Sequence, residues 1–262
     1  MRYGIEIEAV PREARRSSYG LLAANDDNLV EIGGDASLPY GGVELRAARP
    51  LRPCEVQPWV EGVGQLLKAQ QYEASRACGL HLHFDRHSAN PAHLENIVWA
   101  LSAWALAARM DDVSPSLFGT SIRRLRGNYA EAPSPYILRD LATHGYEALG
   151  SHFGAVSYSS HWPTIELRAP SGTVCSARIL RIWRRLRLAF LVCRTEAIKD
   201  AVRVAQDTKT PESFRLLGQA FDKAVRNAEK AYLAKAARKC AKKTPTNPAP
   251  KAQETEQLTL CV

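Results

Sequence analysis

Several familiar devices are missing from this chain of 262 residues, and each absence narrows what it can do. No Gly-x-x-x-x-Gly-Lys-Ser/Thr loop occurs, so any bound phosphate is not held by a P-loop. No Gly-x-Gly-x-x-Gly follows a strand-like run, which removes the dinucleotide fingerprint of a doubly wound sheet. The six cysteines, Cys54, Cys78, Cys175, Cys193, Cys240 and Cys261, include no Cys-x-x-Cys pair. They read as reduced thiols and exclude a zinc ribbon or a disulfide framework. No apolar run approaches the roughly 20 residues that cross a bilayer, and no leader fits in front of a strand that begins within the first few residues. The chain is therefore expected to be soluble and cytoplasmic, with no membrane partner.

Acid is missing from one region. Residues 230–251 hold Lys230, Lys235, Arg238, Lys239, Lys242, Lys243 and Lys251 and no Asp or Glu, which accounts for seven of the formal net charge of +8. The body is nearly neutral. The basic segment reads as a solvated helix end running into a tail, able to touch nucleic acid or another polyanion only weakly and with strong salt dependence.

What is present is alternation. In Cys78-Gly-Leu-His-Leu-His-Phe-Asp85, Leu80, Leu82 and Phe84 fall on one parity and His81, His83 and Asp85 on the other, the pattern of a strand with one apolar face. Tyr3, Ile5 and Ile7 alternate with Gly4, Glu6 and Glu8, Val43 and Leu45 with Glu44 and Arg46, and Ile165 and Leu167 with Glu166 and Arg168. Half-exposed strands facing water would carry Thr, Ser and Lys, and no Lys appears in these four runs. Glu6 and Glu8 lie about 7 Å apart on one face at the usual strand rise, and like charges gathered on one sheet face repel unless a cation lies between them. Carboxylates with an imidazole suit Mg2+ or Mn2+, and the arginines suit phosphate. Glu6, Glu8, His83 and Glu166 are the expected metal ligands, with His81 and Glu44 close by.

Five motifs occur in a telling order: Gly4-Ile-Glu-Ile-Glu8, the stretch from Asp35-Ala-Ser37 to Glu44, Cys78 to Asp85, the Arg-rich run to Asn128-Tyr129, and Thr164-Ile-Glu-Leu-Arg168 followed by Gly172-Thr173. Over residues 2–200 the chain thereby resembles the amidoligase family, carboxylate-amine ligases of the glutamine synthetase and glutamate-cysteine ligase superfamily. The resemblance implies a glutamine synthetase-like catalytic domain that uses ATP and Mg2+ (or Mn2+) to join a small-molecule or peptide carboxylate to an amine. It implies catalytic roles for Glu44, Glu166 and Arg168, and nucleotide or phosphate contacts for His81, Arg123, Arg126, Asn128 and Arg168, with at least one of Arg123, Arg124 and Arg126 expected to line the nucleotide cleft. Asp35 and Ser37 would shape the substrate rim. The chain departs from the family in having Ala47-Ala48 where Ser-Pro is usual and Ala130 where Cys often follows the Asn-Tyr pair. Neither position is an expected metal ligand, so the departures bear on the substrate.

The chemistry is consistent with that inventory. A free carboxylate must be activated before an amine can displace its oxygen, and phosphorylation by ATP does so through an acylphosphate, a reaction that asks chiefly for divalent cations and arginines. A metal-dependent hydrolase using the same cleft without ATP is the alternative. A cupin-like oxygenase would need a Glu three or four positions after His83, where Arg86 and His87 stand. A silent scaffold would have no physical reason to keep unpaired charges in a cleft.

The remaining sequence predicts an α+β domain, a mostly antiparallel sheet with helices on one face and a cleft on the other. Helices are expected over Pro58–Ala74, from Asn90-Pro91 to Ala108, from Ser134-Pro135 to Leu149, over Cys175–Val204, and from Thr210-Pro211 into the basic stretch. A strand over Phe153–Ser160 should form a hairpin with the Glu166 strand. The expected division is a catalytic domain over 1–205, a basic helix over 206–243 and a disordered tail over 244–262.

Overall fold

The alternating runs become one seven-stranded sheet. In the computed structural model, which describes residues 2–13, 30–34, 37–39, 41–85, 90–127, 130–149, 154–159 and 164–241, the strands are β1 (Tyr3–Pro11), β2 (Val30–Gly34), β3 (Val43–Ala47), β4 (Tyr72–Glu73), β5 (Leu80–Asp85), β6 (Val156–Ser159) and β7 (Thr164–Leu167). Their order is β2-β3-β1-β5-β7-β6, with β4 on the end of β1. Each of these pairings is antiparallel. The expectations for Asp35, Asn128 and the segment over 244–262 lie outside the described residues.

Register does the organising. Ile5 pairs with Leu82, Leu82 with Leu167 and Leu167 with Val156, so one row of apolar side chains crosses four strands. One residue along, Gly4, His83, Glu166 and Ser157 form the next row. Successive side chains on a strand point to opposite faces, so burying the first row commits the second to the other side.

Helices cover the apolar face. These are α1 (Pro53–Ala69), α2 (Pro91–Arg109), α3 (Ile122–Leu125), α4 (Pro135–His144), α5 (Ser176–Val192), α6 (Glu196–Thr208) and α7 (Pro211–Ala241). α5 meets the sheet through Phe190, edge-on to Phe84 at 4.9 Å, and Trp183, edge-on to Tyr3 at 5.9 Å. From Ile97 to Ala108 α2 is buried on every side and, Ser102 apart, apolar on every side, with Trp99 and Trp104 at its centre. It packs most extensively on α7, where Phe214 and Phe221 are also fully buried. Gly218 of α7 makes that crossing close: a Cβ there would overlap the Ala103 carbonyl and come within 2.8 Å of Ala107 Cβ.

Several element boundaries differ from the sequence expectation, each for a local reason. α1 starts at Pro53, not Pro58, because Glu55 accepts a hydrogen bond from the Arg52 backbone N–H at 2.7 Å and caps the helix there. The expected helix over 175–204 is two helices. Thr195 is extended and opens α6 with Glu196 in its first turn, a cap signal hidden between two apolar stretches. α4 stops at His144, and Gly145, with φ of 66°, turns the chain into a 3-10 segment to Leu149. The caps at Asn90, Ser134 and Thr210 form as expected, with Asn90 accepting from Ala92 N at 3.0 Å and Thr210 from Ser213 N at 3.2 Å. The β6–β7 hairpin pairing also forms.

α7 packs on the body along its first half and leaves it along its second. Phe214, Leu217, Phe221 and Val225 of α7 are buried in the common core, whereas residues 231–239 are exposed. Among the described residues, no helix is long and apolar enough to cross a membrane.

Candidate functional site

The face of the sheet opposite the helices carries the titratable groups, and register sets their neighbours. Glu6 stands between Arg46 of β3 and His81 of β5, Glu8 opposite Glu44, and His83 between Gly4 and Glu166. The side chains converge accordingly. His81 Nδ1 lies 3.1 Å from Glu6 Oε2 and 3.4 Å from Glu166 Oε1, and its Nε2 lies 3.3 Å from Glu8 Oε1. His83 Nε2 lies 3.2 Å from Glu6 Oε1 and 3.9 Å from Glu166 Oε1.

Supporting contacts orient these groups. Ser157 Oγ donates to Glu166 Oε2 at 3.0 Å, Arg168 Nη1 donates to Glu166 Oε1 at 2.8 Å, and His83 Nδ1 lies 3.3 Å from Thr164 Oγ1. The Gly79 backbone N–H donates to Glu8 Oε2. Arg124 reaches in from α3, donating to the Arg168 carbonyl at 3.2 Å and the Cys78 carbonyl at 3.3 Å. It thereby ties together the chain segments that carry the His-x-His strand and Glu166. Gly79 permits this approach, since a Cβ there would overlap both Arg124 and His81.

Crowding sets the protonation. Burial opposes ionisation of Glu6, but hydrogen bonds and charge from His81 and His83 outweigh it and hold its carboxyl far below the usual range. Burial and then the Glu6 carboxylate push Glu44 up to about 8. For His83, burial works against the charged ring, yet the hydrogen bond to Glu6 and the Glu166 charge raise its pKa. Burial lowers the pKa of the Arg124 guanidinium, against the pull of Glu8. With Glu44 at about 8, the face relieves part of its own repulsion by holding a proton there near neutral pH, and His83 holds its proton more tightly than an ordinary imidazole.

That relief leaves loose ends. His81 is only 1% exposed, yet its Nε2 meets Glu8 at 3.3 Å without well-aligned hydrogen-bond geometry, His83 Nε2 meets Glu6 at 3.2 Å in the same way, and the buried Arg168 Nε has no hydrogen-bond partner. Buried polar atoms left unmatched are costly, at roughly 1–3 kcal/mol each. Two trios have ligand atoms within 4.8 Å of one another, Glu6 with His83 and Glu166, and Glu6 with Glu44 and His81. Ligands on opposite sides of one small divalent ion are about 4.2 Å apart, so small side-chain adjustments would close either trio around an ion. The donor set of carboxylates with one imidazole could hold a divalent cation.

Not every residue singled out in the sequence is in the cluster. Glu8 is at its floor but is engaged by Gly79 and His81 and belongs to neither trio. Of the arginines, Arg126 donates to the Arg109 carbonyl and Asp111, and Arg123 is exposed on α3, while Arg124 is the one at the strand ends. Ser37 is exposed, in the stretch before β3. Ser157, Thr164 and Gly79 were not singled out. Ser157 could have been found by running the hairpin parity backwards from Glu166. No family model matches the chain, and no curated protein does.

Proposed function

We propose that this protein is an ATP-dependent carboxylate-amine ligase whose site is the polar face of the sheet. The observation that carries the reading is the convergence of Glu6, His83 and Glu166 within 4.8 Å, with Arg168 on the same Glu166 oxygen at 2.8 Å. It pairs a cation site with a guanidinium beside it. The reading brings with it a glutamine synthetase-like domain with a substrate cleft over this face, ATP as co-substrate, and Mg2+ or Mn2+ held by Glu6, His83 and Glu166, with Glu44 and His81 adjacent. A bound divalent ion would neutralise phosphate oxygens and polarise the transferring phosphoryl group.

The chain's own groups do the rest. The substrate carboxylate oxygen attacks the γ-phosphorus of ATP and ADP departs. The amine nitrogen then attacks the acyl carbon, phosphate leaves, and the amine loses a proton. Arg168, fixed by Glu166, offers its remaining N–H groups to the oxygens on which charge develops. Glu166 supplies the carboxylate beside it, Glu44 stands across the face next to Glu6, and Arg124 holds the Arg168 backbone in place.

The deciding experiment incubates the protein with ATP, Mg2+ and pooled amino acids and polyamines, reading ADP and condensed products by mass spectrometry. A condensed product formed together with ADP is expected. Hydrolysis of an amide or ester without nucleotide would replace the ligase reading with the hydrolase one.

Two further outcomes follow from the same site. Mn2+ at about 100 times its Kd should stabilise the fold by about 2.7 kcal/mol, raising the melting temperature by roughly 5–10 °C in thermal denaturation. The gain should grow from pH 6 to pH 8, because Glu44 and His83 are both raised and must release protons to bind a cation. Without metal the sign is opposite: Glu44, ordinarily near 4.5 and folded at about 8, contributes stability that is fully present at low pH and is lost as pH rises through 8. A metal effect that shrinks with rising pH would contradict this assignment. Separately, Arg168→Lys keeps the charge and loses the planar fork, so kcat should fall about 10–100-fold while the metal-induced rise in melting temperature persists. Unchanged turnover in that variant would remove Arg168 from the mechanism.

A further inference from the structure

A second charged surface lies away from the sheet face, where α5 meets the exposed end of α7. Arg185 anchors the contact: its Nε lies 2.8 Å from Glu229 Oε1, and Nη1 donates to the Leu117 carbonyl at 2.8 Å. This pairing neutralises Glu229, which leaves the neighbourhood basic. One helical position along α5, the Arg184 guanidinium lies 5.4 Å from the centre of the Tyr232 ring. Arg181 is exposed one turn earlier on α5.

From Tyr232 the stripe continues along α7. Lys235 and Lys239 follow at three and seven residues, the spacing that puts them on the same side of a helix as the ring, and both are exposed. Lys230 and Arg238 flank them, and from Lys230 to the end of the helix there is no acid. Tyr232 remains 48% exposed despite the arginine beside it. The surface thus combines cations about one helical turn apart, near 5–6 Å, with an aromatic ring open to solvent.

We infer that this α5–α7 surface binds single-stranded nucleic acid, with Arg181, Arg184, Lys235 and Lys239 on successive phosphates and Tyr232 stacking on a base. Cations tracking a backbone beside an aromatic platform are the means by which single strands are held without sequence preference. An anionic membrane is the poorer match. An interfacial helix needs a continuous apolar face, whereas the exposed end of α7 offers Tyr232 and Leu233 among alanines and lysines. The inference is independent of the ligase reading.

The test uses the full chain and a fluorescein-labelled 20-nucleotide oligothymidylate, followed by anisotropy from about 50 to 200 mM salt. Four phosphate contacts predict that log K falls against log salt with a slope near −3, from about −0.7 per contact on a single strand. Lys235→Glu with Lys239→Glu should weaken binding at least tenfold and flatten the slope. Lys199→Glu with Lys209→Glu on and just after α6 changes net charge equally and should leave both nearly unchanged. Tyr232→Ala should weaken binding several-fold at an unaltered slope, as loss of stacking requires. Equal losses in the two double variants would mean that net charge alone is responsible, and would overturn the site. Tighter binding to phosphatidylserine vesicles than to the oligonucleotide would overturn the choice of ligand.

Discussion

Glu6→Gln is expected to abolish the metal-induced rise in melting temperature and to lower metal-dependent ligation about 10³-fold, equivalent to about 4 kcal/mol of transition-state stabilisation. Glu6 is the carboxylate shared by both ligand trios, so its loss disarms either. Glutamine keeps the shape and still offers an oxygen to His81 and His83, which limits the damage to folding. The proton ledger also changes: the Glu6 charge is a main reason that Glu44 stands at about 8, so Glu44 should ionise more readily in the variant and His83, deprived of its acceptor's charge, should lose its proton at lower pH. Calorimetric titration with Mn2+ and circular dichroism check both sides. Full metal binding by a folded Glu6→Gln protein would show that the cluster is only a buried ion-pair network.

Gly218→Val should destabilise the protein by about 3–4 kcal/mol and lower its melting temperature by about 10 °C. The atoms that a Cβ would meet belong to the Ala103 carbonyl and Ala107, backbone and a short side chain that cannot swing aside. α2 and α7 would have to separate. That separation loosens Trp99 against Phe214, whose rings lie 6.0 Å apart, and Phe118 against Phe221. Helix propensity does not rescue the variant, because valine is only slightly better than glycine in a helix. Metal binding should survive below the transition, since the crossing is on the far side of the sheet from Glu6. A melting temperature unchanged or raised would mean that the two helices are farther apart than described.

Parity was the readable part of this molecule. Once Glu6 and Glu8, His81 and His83, and Glu166 are each placed on a strand, their facing is forced by the two-residue period, and chemistry on the same side as those groups follows. Which strands are neighbours is a different matter. Nothing within Tyr3–Glu8 states that it lies between β3 and β5, because pairing is made by contacts dozens of residues away in sequence. Arg124 illustrates the limit at smaller scale. Three arginines share four positions, and the Ser121 cap with a single turn of α3 decides which one faces Cys78 and Arg168. The break at Thr195 was missed because apolar periodicity on either side of it is continuous enough to read as one helix, and the cap that marks it is a single residue. The helix end at residues 231–239 was legible as basic and solvated from composition alone, but its partnership with α5 depends on where α7 leaves the core.

The position of β1 and β5 in the sheet has a consequence for how the site can move. Each is flanked by strands on both sides, and their shared rows place Ile5 and Leu82 in the core and Glu6, His81 and His83 on the opposite face. Their amide hydrogens should therefore exchange with solvent only through global unfolding, on the slowest timescale the protein has. The cluster cannot breathe by fraying. Whatever enters or leaves it must do so across the face of the sheet, and any gating has to be supplied by the segments that border that face, with the strands that carry the ligands acting as a fixed floor.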